Sequence, residues 1–105
     1  MDKIPIEVEE TIKRYIAALE EHNIPLRKVV LFGSCVTGNY NEWSDIDIAL
    51  VSDVFEGVRI NDRNKIRQIT LDISSDLAPL PYKPEDFTPD DPLVRKILET
   101  GVRIV

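Results

Sequence analysis

Residues 31–51 read LFGSCVTGNYNEWSDIDIALV. An apolar run stops at Gly33-Ser34, ten residues follow, and Asp45 and Asp47 then head a second apolar run, Ile48-Ala49-Leu50-Val51. A β-strand sends residues i and i+2 to one side, so the two acids project together, roughly 6–7 Å apart along the backbone. Like charges held that close disfavour each other's ionised form unless a cation neutralises them. A strand buried in a sheet has no packing use for such a pair. A hard divalent ion does: Mg²⁺ takes one or two protein carboxylates and completes its shell with phosphate oxygens and water.

Gly33-Ser34 supplies a complementary half. Glycine at a strand end lets a phosphate approach the backbone, the turn beyond it can aim N–H groups at an anion, and Ser34 adds a hydroxyl donor. Gly33 to Gly38 has the glycine spacing of a P-loop, but Asn39 and Tyr40 stand where its Lys and Ser/Thr belong. The P-loop is rejected. What survives is a metal-and-polyphosphate pattern, suited to phosphoryl or nucleotidyl transfer.

Outward from this stretch, Val8, Ile12, Tyr15, Ile16 and Leu19 recur at helical spacing over 8–21, and HNIPL (22–26) ends that helix. RKVVLF (27–32) predicts a strand, a single helical turn follows Gly33 and stops at Gly38, and DIDIALV (45–51) predicts a second strand. NDRNKIRQ (61–68) reads as a short polar helix. ITLDISSDLA (69–78) alternates, with Ile69, Leu71, Ile73 and Leu77 on one face and Thr70, Asp72, Ser74 and Asp76 on the other, which predicts a strand with one wet side. PLPYKPEDFTPDDP (79–92) holds five prolines and is expected to run as an extended strap anchored by Tyr82 and Phe87. Thr88-Pro89 with acids behind them opens a helix carrying Leu93, Val94, Ile97 and Leu98, stopped by Gly101, and VRIV (102–105) predicts an edge strand. The order predicts an α/β (α+β) fold, a small mixed sheet flanked by helices, in one domain over 1–105.

The bulk numbers agree with a globular chain: 105 residues, 43% hydrophobic, 30% charged, and one cysteine, with no basic-then-apolar leader and no membrane-span-length apolar run. A cytoplasmic setting is expected. A net charge of −6 is the wrong balance for extended nucleic-acid binding, which needs Lys and Arg to displace counterions. No membrane partner is expected either, and self-association stays open.

FGSCVTGNYNEWSDIDIALV resembles the signature of the polymerase-beta-type nucleotidyltransferases: an apolar strand, Gly-Ser, ten residues, Asp-x-Asp. The chain's size is similar to that of the minimal, antitoxin-like nucleotidyltransferases, and PYKPEDF…DDPLVRKILETGVRIV resembles their C-terminal segment. The resemblance implies their polymerase-beta-like fold and Mg²⁺-dependent transfer of a nucleoside monophosphate, AMP from ATP, to an acceptor hydroxyl. It implies that Asp45 and Asp47 hold two metal ions and that Gly33 and Ser34 hold the nucleotide's β- and γ-phosphates. The family's third carboxylate lies on the next central strand. Matching PYKPEDF to the family's tail puts it near Ser74, so Asp72 is taken as the third catalytic and metal-binding residue, with Asp76 as the alternative. A helical HEPN-class toxin, for which the chain would be the antitoxin, is the implied partner.

Blander readings compete at several positions. Asp45 fits a turn acid and Gly33 a mere strand stop, but Asp47 between two isoleucines fits neither. Arg63, Lys65 and Arg67 read as a solvated helix face, with a triphosphate contact as the alternative. Cys35 reads as packing, Trp43 as loop cover, and His22 as a charge at a helix end. Two other functions are weighed: a binding module that keeps the fold without catalysis, and a haloacid-dehalogenase-type phosphatase, which wants its Asp-x-Asp much nearer the N-terminus of a longer chain.

Overall fold

The computed structural model describes residues 4–37 and 45–105, so the expected stop at Gly38 and the role of Trp43 lie outside the described residues. Helix α1 (Ile6–Glu21) turns Val8, Ile12, Tyr15 and Leu19 inward, one residue per turn, with Glu7 and Glu9 at its positive end. It ends where Asn23 takes φ +63°, a left-handed conformation that Asn tolerates. Strand β1 (Lys28–Phe32) then runs into Gly33 and the single turn α2 (Ser34–Thr37). Strand β2 (Ile46–Val51) lies antiparallel to β1 with Lys28 opposite Val51 and Phe32 opposite Asp47.

Beyond β2 the structure corrects the sequence reading. Helix α3 is not confined to 61–68 but spans Arg59–Ile73, and strand β3 is Leu77–Tyr82 rather than 69–78. Ile66, Ile69 and Thr70 are buried and Ile73 half-buried, a helical stripe, whereas Leu71 is 55% exposed. The alternating pattern misled because Thr70 counted as wet. Its hydroxyl instead donates to the Ile66 carbonyl (2.8 Å) and accepts from buried Tyr15 (2.6 Å), which joins α3 to α1. Burial pushes the Tyr15 phenol up to about 12, so it remains a donor.

The prolines of β3 also have a physical place. Ile46 donates to the Asp76 carbonyl and Ser52 to that of Tyr82, so the even-numbered residues of β3 bond β2 and the odd ones face outward. Pro79 and Pro81 therefore sit where no ladder N–H is required, and they leave the sheet edge poor in donors. β3 runs parallel to β2, and α3 is the crossover between them.

A 3₁₀ turn (Pro84–Asp86) follows, and Tyr82 and Phe87 anchor the strap as expected, their rings 5.2 Å apart. Helix α4 (Pro92–Thr100) starts later than Thr88-Pro89 suggested. Asp91 is its N-cap, accepting from the N–H groups of Leu93 (2.8 Å) and Val94 (3.4 Å), with Pro92 at the first helical position. Gly101 ends it, and β4 (Val102–Arg103) pairs with β1, giving the sheet order β3-β2-β1-β4. The mixed sheet has two covered faces. Val29, Leu31, Ile46, Ile48 and Leu50 pack with α1 and α3, while Val30, Ala49, Val51 and Tyr82 pack with Phe87 and α4. Among the described residues no helix is long and apolar enough to cross a membrane.

One buried charge fixes α3. Asp62 is fully buried and accepts from the Glu56 N–H (2.7 Å) and the Gly57 N–H (2.9 Å), with Lys65 Nζ 3.9 Å away. The connection after β2 is thereby tied to the first turns of the helix. Asp62→Ala leaves both amides without their acceptor and should cost about 2–4 kcal/mol in urea unfolding, with Asp62→Asn losing less.

Candidate functional site

The end of β1 and the start of β2 meet at Gly33 and Asp47. Gly33 has φ +77°, a conformation costly for any residue with a side chain. Space forbids one as well: a β-carbon there would lie 3.2 Å from Asp47 Cγ and 3.3 Å from Asp47 Cβ. The Asp47 carboxyl group rests against the bare α-carbon of Gly33, so the turn and the acid are built around each other. Ser34, half-buried, opens α2 at this point, and the first N–H groups of a helix have no intrahelical acceptor.

Asp47 is half-buried and Asp45 exposed. Burial raises the Asp47 pKa, and the Asp45 charge raises it further. The two acids thus feel each other, as the i, i+2 spacing predicts. Cys35, buried in α2, points its thiol at the Asp45 carbonyl (3.8 Å) and so closes α2 onto the start of β2. Burial, and then the charge of Asp47, push this thiol up to about 11. It stays protonated at neutral pH and has no standing as a nucleophile.

The structure does not bring Asp72 to this pair. Asp72 lies exposed on α3, accepting from Gln68 Nε2 at 2.8 Å. Asp76, also exposed, precedes β3, and it is its backbone carbonyl that meets β2, through the Ile46 N–H at 2.8 Å. Among the described residues no group of three or more His, Cys, Asp or Glu side chains could hold a metal ion. The position on β3 that pairs with Asp47, and shares its face, is Ala78. The expected strand over 69–78 hides this position, because the observed strand begins only at Leu77 and runs on into the proline-rich stretch. Two carboxylates therefore remain, which is a donor set that Mg²⁺ accepts when phosphate oxygens and water supply the rest.

Comparison with known proteins gives this geometry a family. The profile described as nucleotidyltransferase domain matches residues 12–104. A protein of Methanocaldococcus jannaschii named "Putative protein adenylyltransferase MJ0604" is 45% identical over 47 residues, which is 44% of this chain and 47% of that protein. The match thus spans about half the length of that relative. The crystal structure of a "putative nucleotidyltransferase" from Sulfolobus solfataricus superposes with a TM-score of 0.59 at 20% identity, covering 98% of this chain and 89% of the other, a likeness of fold. With the profile spanning nearly all of its elements, the chain belongs to the nucleotidyltransferase-domain family.

Proposed function

We propose that this chain transfers AMP from ATP, with Mg²⁺, to a hydroxyl group on a protein. The observation that carries the reading is the joint construction of Gly33 and Asp47, with Asp45 acting on the same carboxyl group. Asp45 and Asp47 are the metal-holding and catalytic pair in this proposal. The backbone at Gly33 and Ser34, with the Ser34 hydroxyl, holds the β- and γ-phosphates. A divalent ion bound at the pair would supply charge neutralisation for the triphosphate. The relative from Methanocaldococcus jannaschii, named as a protein adenylyltransferase, supports a protein acceptor. A HEPN-type helical toxin, neutralised by the modification, is the acceptor that the sequence resemblance favours. Its intact mass after incubation with the chain, ATP and Mg²⁺ would rise by one or more AMP units if so.

A second reading, nucleotide binding without transfer, is favoured by one observation. Ala78 stands where a carboxylate on β3 would face Asp47. With Ala78 there, deprotonation of the acceptor falls to solvent or to the acceptor itself. Ala78→Asp supplies a general base and should raise the rate of AMP incorporation about 10²-fold or more, measured with α-labelled ATP. A binding module would incorporate no label with the native chain.

Asp47 holds its proton to higher pH in the folded chain than in the unfolded one. The folded state is therefore favoured while that proton is bound, and the advantage is lost as pH rises through the raised value. Without divalent metal, Asp47→Asn should be more stable than the native chain at neutral pH, and the gap should close below the ordinary carboxylate range. Melting curves from acid to neutral pH test this. In the same assay Mg²⁺ with ATP should raise the melting temperature of the native chain and leave that of Asp47→Asn unmoved.

Gly33→Ala combines a disfavoured φ with the collision at Asp47. It should lose about 1–2 kcal/mol from the backbone term alone and abolish the heat of Mg²⁺–ATP binding in calorimetry.

A further inference from the structure

The sheet ends at β3, and that edge carries charge of both signs. Its first half, Leu77 to Pro79, walls a groove of about 700 Å³ with α3, lined by Arg63, Arg67, Ile60 and Leu71. Arg63 and Arg67 lie about 6 Å apart along the helix axis and are both exposed. Among the described residues neither makes an ion pair, and no acid lines the groove. Ile60 is 70% exposed and Leu71 55% exposed, large apolar groups that the chain itself leaves uncovered.

The second half of the same strand has the opposite sign. Pro81 and Tyr82 wall a pocket of about 420 Å³ that Glu85, Asp86, Asp90 and Asp91 line from the strap, all four exposed. Arg59 stands between the two hollows and lines both, but its charge is occupied in the acidic one. Burial pushes the Tyr82 phenol up, and the Arg59 guanidinium beside it draws it back down. Lys83 approaches Glu85 at 3.8 Å. One guanidinium and one ammonium thus face four carboxylates, and acid remains in excess. Pro79 and Pro81 have no N–H to offer a further strand, so a neighbour at this edge is met by side chains.

We infer that this edge is a self-association surface, on which a second copy of the chain sets its acidic pocket against Arg63 and Arg67 and receives the same contact in return. A basic groove and an acidic pocket on consecutive residues of one strand are complementary to themselves. A two-fold axis pairs them twice, because an isologous contact joins i to j and j to i. An acidic peptide or a nucleic-acid strand answers Arg63 and Arg67 but is repelled by the four carboxylates next door, and a basic peptide meets the reverse. A second copy satisfies both halves through charge-assisted hydrogen bonds and covers Ile60 and Leu71 between them. The inference is independent of the nucleotidyl-transfer reading, since it uses neither Gly33 nor the Asp45–Asp47 pair. Salt separates this contact from a merely apolar one. Two chains of net charge −6 repel, so screening tightens an apolar association and loosens one held by opposite charges.

Sedimentation equilibrium of the full chain, without nucleotide or metal, measures the association. The native chain should form a dimer whose dissociation constant rises about tenfold or more from low to high salt. Arg63→Glu with Arg67→Glu should sediment as a monomer, and so should Glu85→Lys with Asp90→Lys. Asp91 is left in place because it caps α4. An equimolar mixture of the two variants should form a one-to-one heterodimer, in which the reversed charges meet on one side and the native charges on the other. Its formation also shows that both variants are folded. A native chain that stays monomeric up to millimolar concentration, a dimer that persists in either variant or tightens with salt, or a mixture that stays monomeric would overturn the inference. Capture of an acidic fluorescent peptide or an oligothymidylate at Arg63 and Arg67 by a monomeric chain would overturn it too, and would give the groove a foreign partner.

Discussion

The carboxyl group of Asp47 lies against the naked α-carbon of Gly33, and the end of the sheet where β1 meets β2 is organised by that contact. It couples a backbone conformation that excludes side chains to an acid that pays for its own partial burial with a raised pKa. An isolated carboxylate half out of water is an unfavourable object. In the proposed function a cation and a polyanion would arrive together, and the same desolvation would strengthen every charge interaction between them and Asp47.

The remaining architecture places things relative to that contact. The face of the sheet that carries Asp47 is sealed further along by Phe87 and α4, which bury Val30, Ala49 and Val51 and leave the acids at the strand end. The opposite face anchors α1 and α3. Since α3 is also the crossover between the parallel strands β2 and β3, its packing sets where β3 lies beside the strand that carries the acids. Buried Asp62 and the Tyr15–Thr70 bond hold that helix at its beginning and toward its end. These three buried polar side chains serve position, and each has its partner.

The first half of the chain was readable because its signals are local. Apolar periodicity marks α1, and a run of β-branched residues broken by Gly33 marks β1. An acid between two isoleucines has few structural explanations. The region from 59 to 82 was harder for two physical reasons. Thr70 looks solvent-facing in a sequence, yet a hydroxyl can be buried once it is bonded at both lone pair and proton. Pro79 and Pro81 argue against a strand unless one knows that the strand is an edge and that their nitrogens face outward. That shift puts Asp72 on α3 and Asp76 just before β3, and leaves Ala78 as the residue paired with Asp47. Pairing between β2 and β3 is set by the intervening helix, so no spacing rule reveals it. Arg63 and Arg67 were visible as charges, but they line a groove between α3 and β3, and only the packed structure shows its second wall, Leu77 to Pro79.

Cys35 is the chain's only cysteine, and it sits beneath the Asp45 carbonyl with its thiol protonated. Because Cys35 is buried, a thiol reagent has to wait for a local opening around α2, the turn that Gly33 introduces. The sulfur is thus a native clock for openings at the corner where Gly33 meets Asp47. Its alkylation rate counts the moments when that corner stands ajar, with no dye or tag added to the protein.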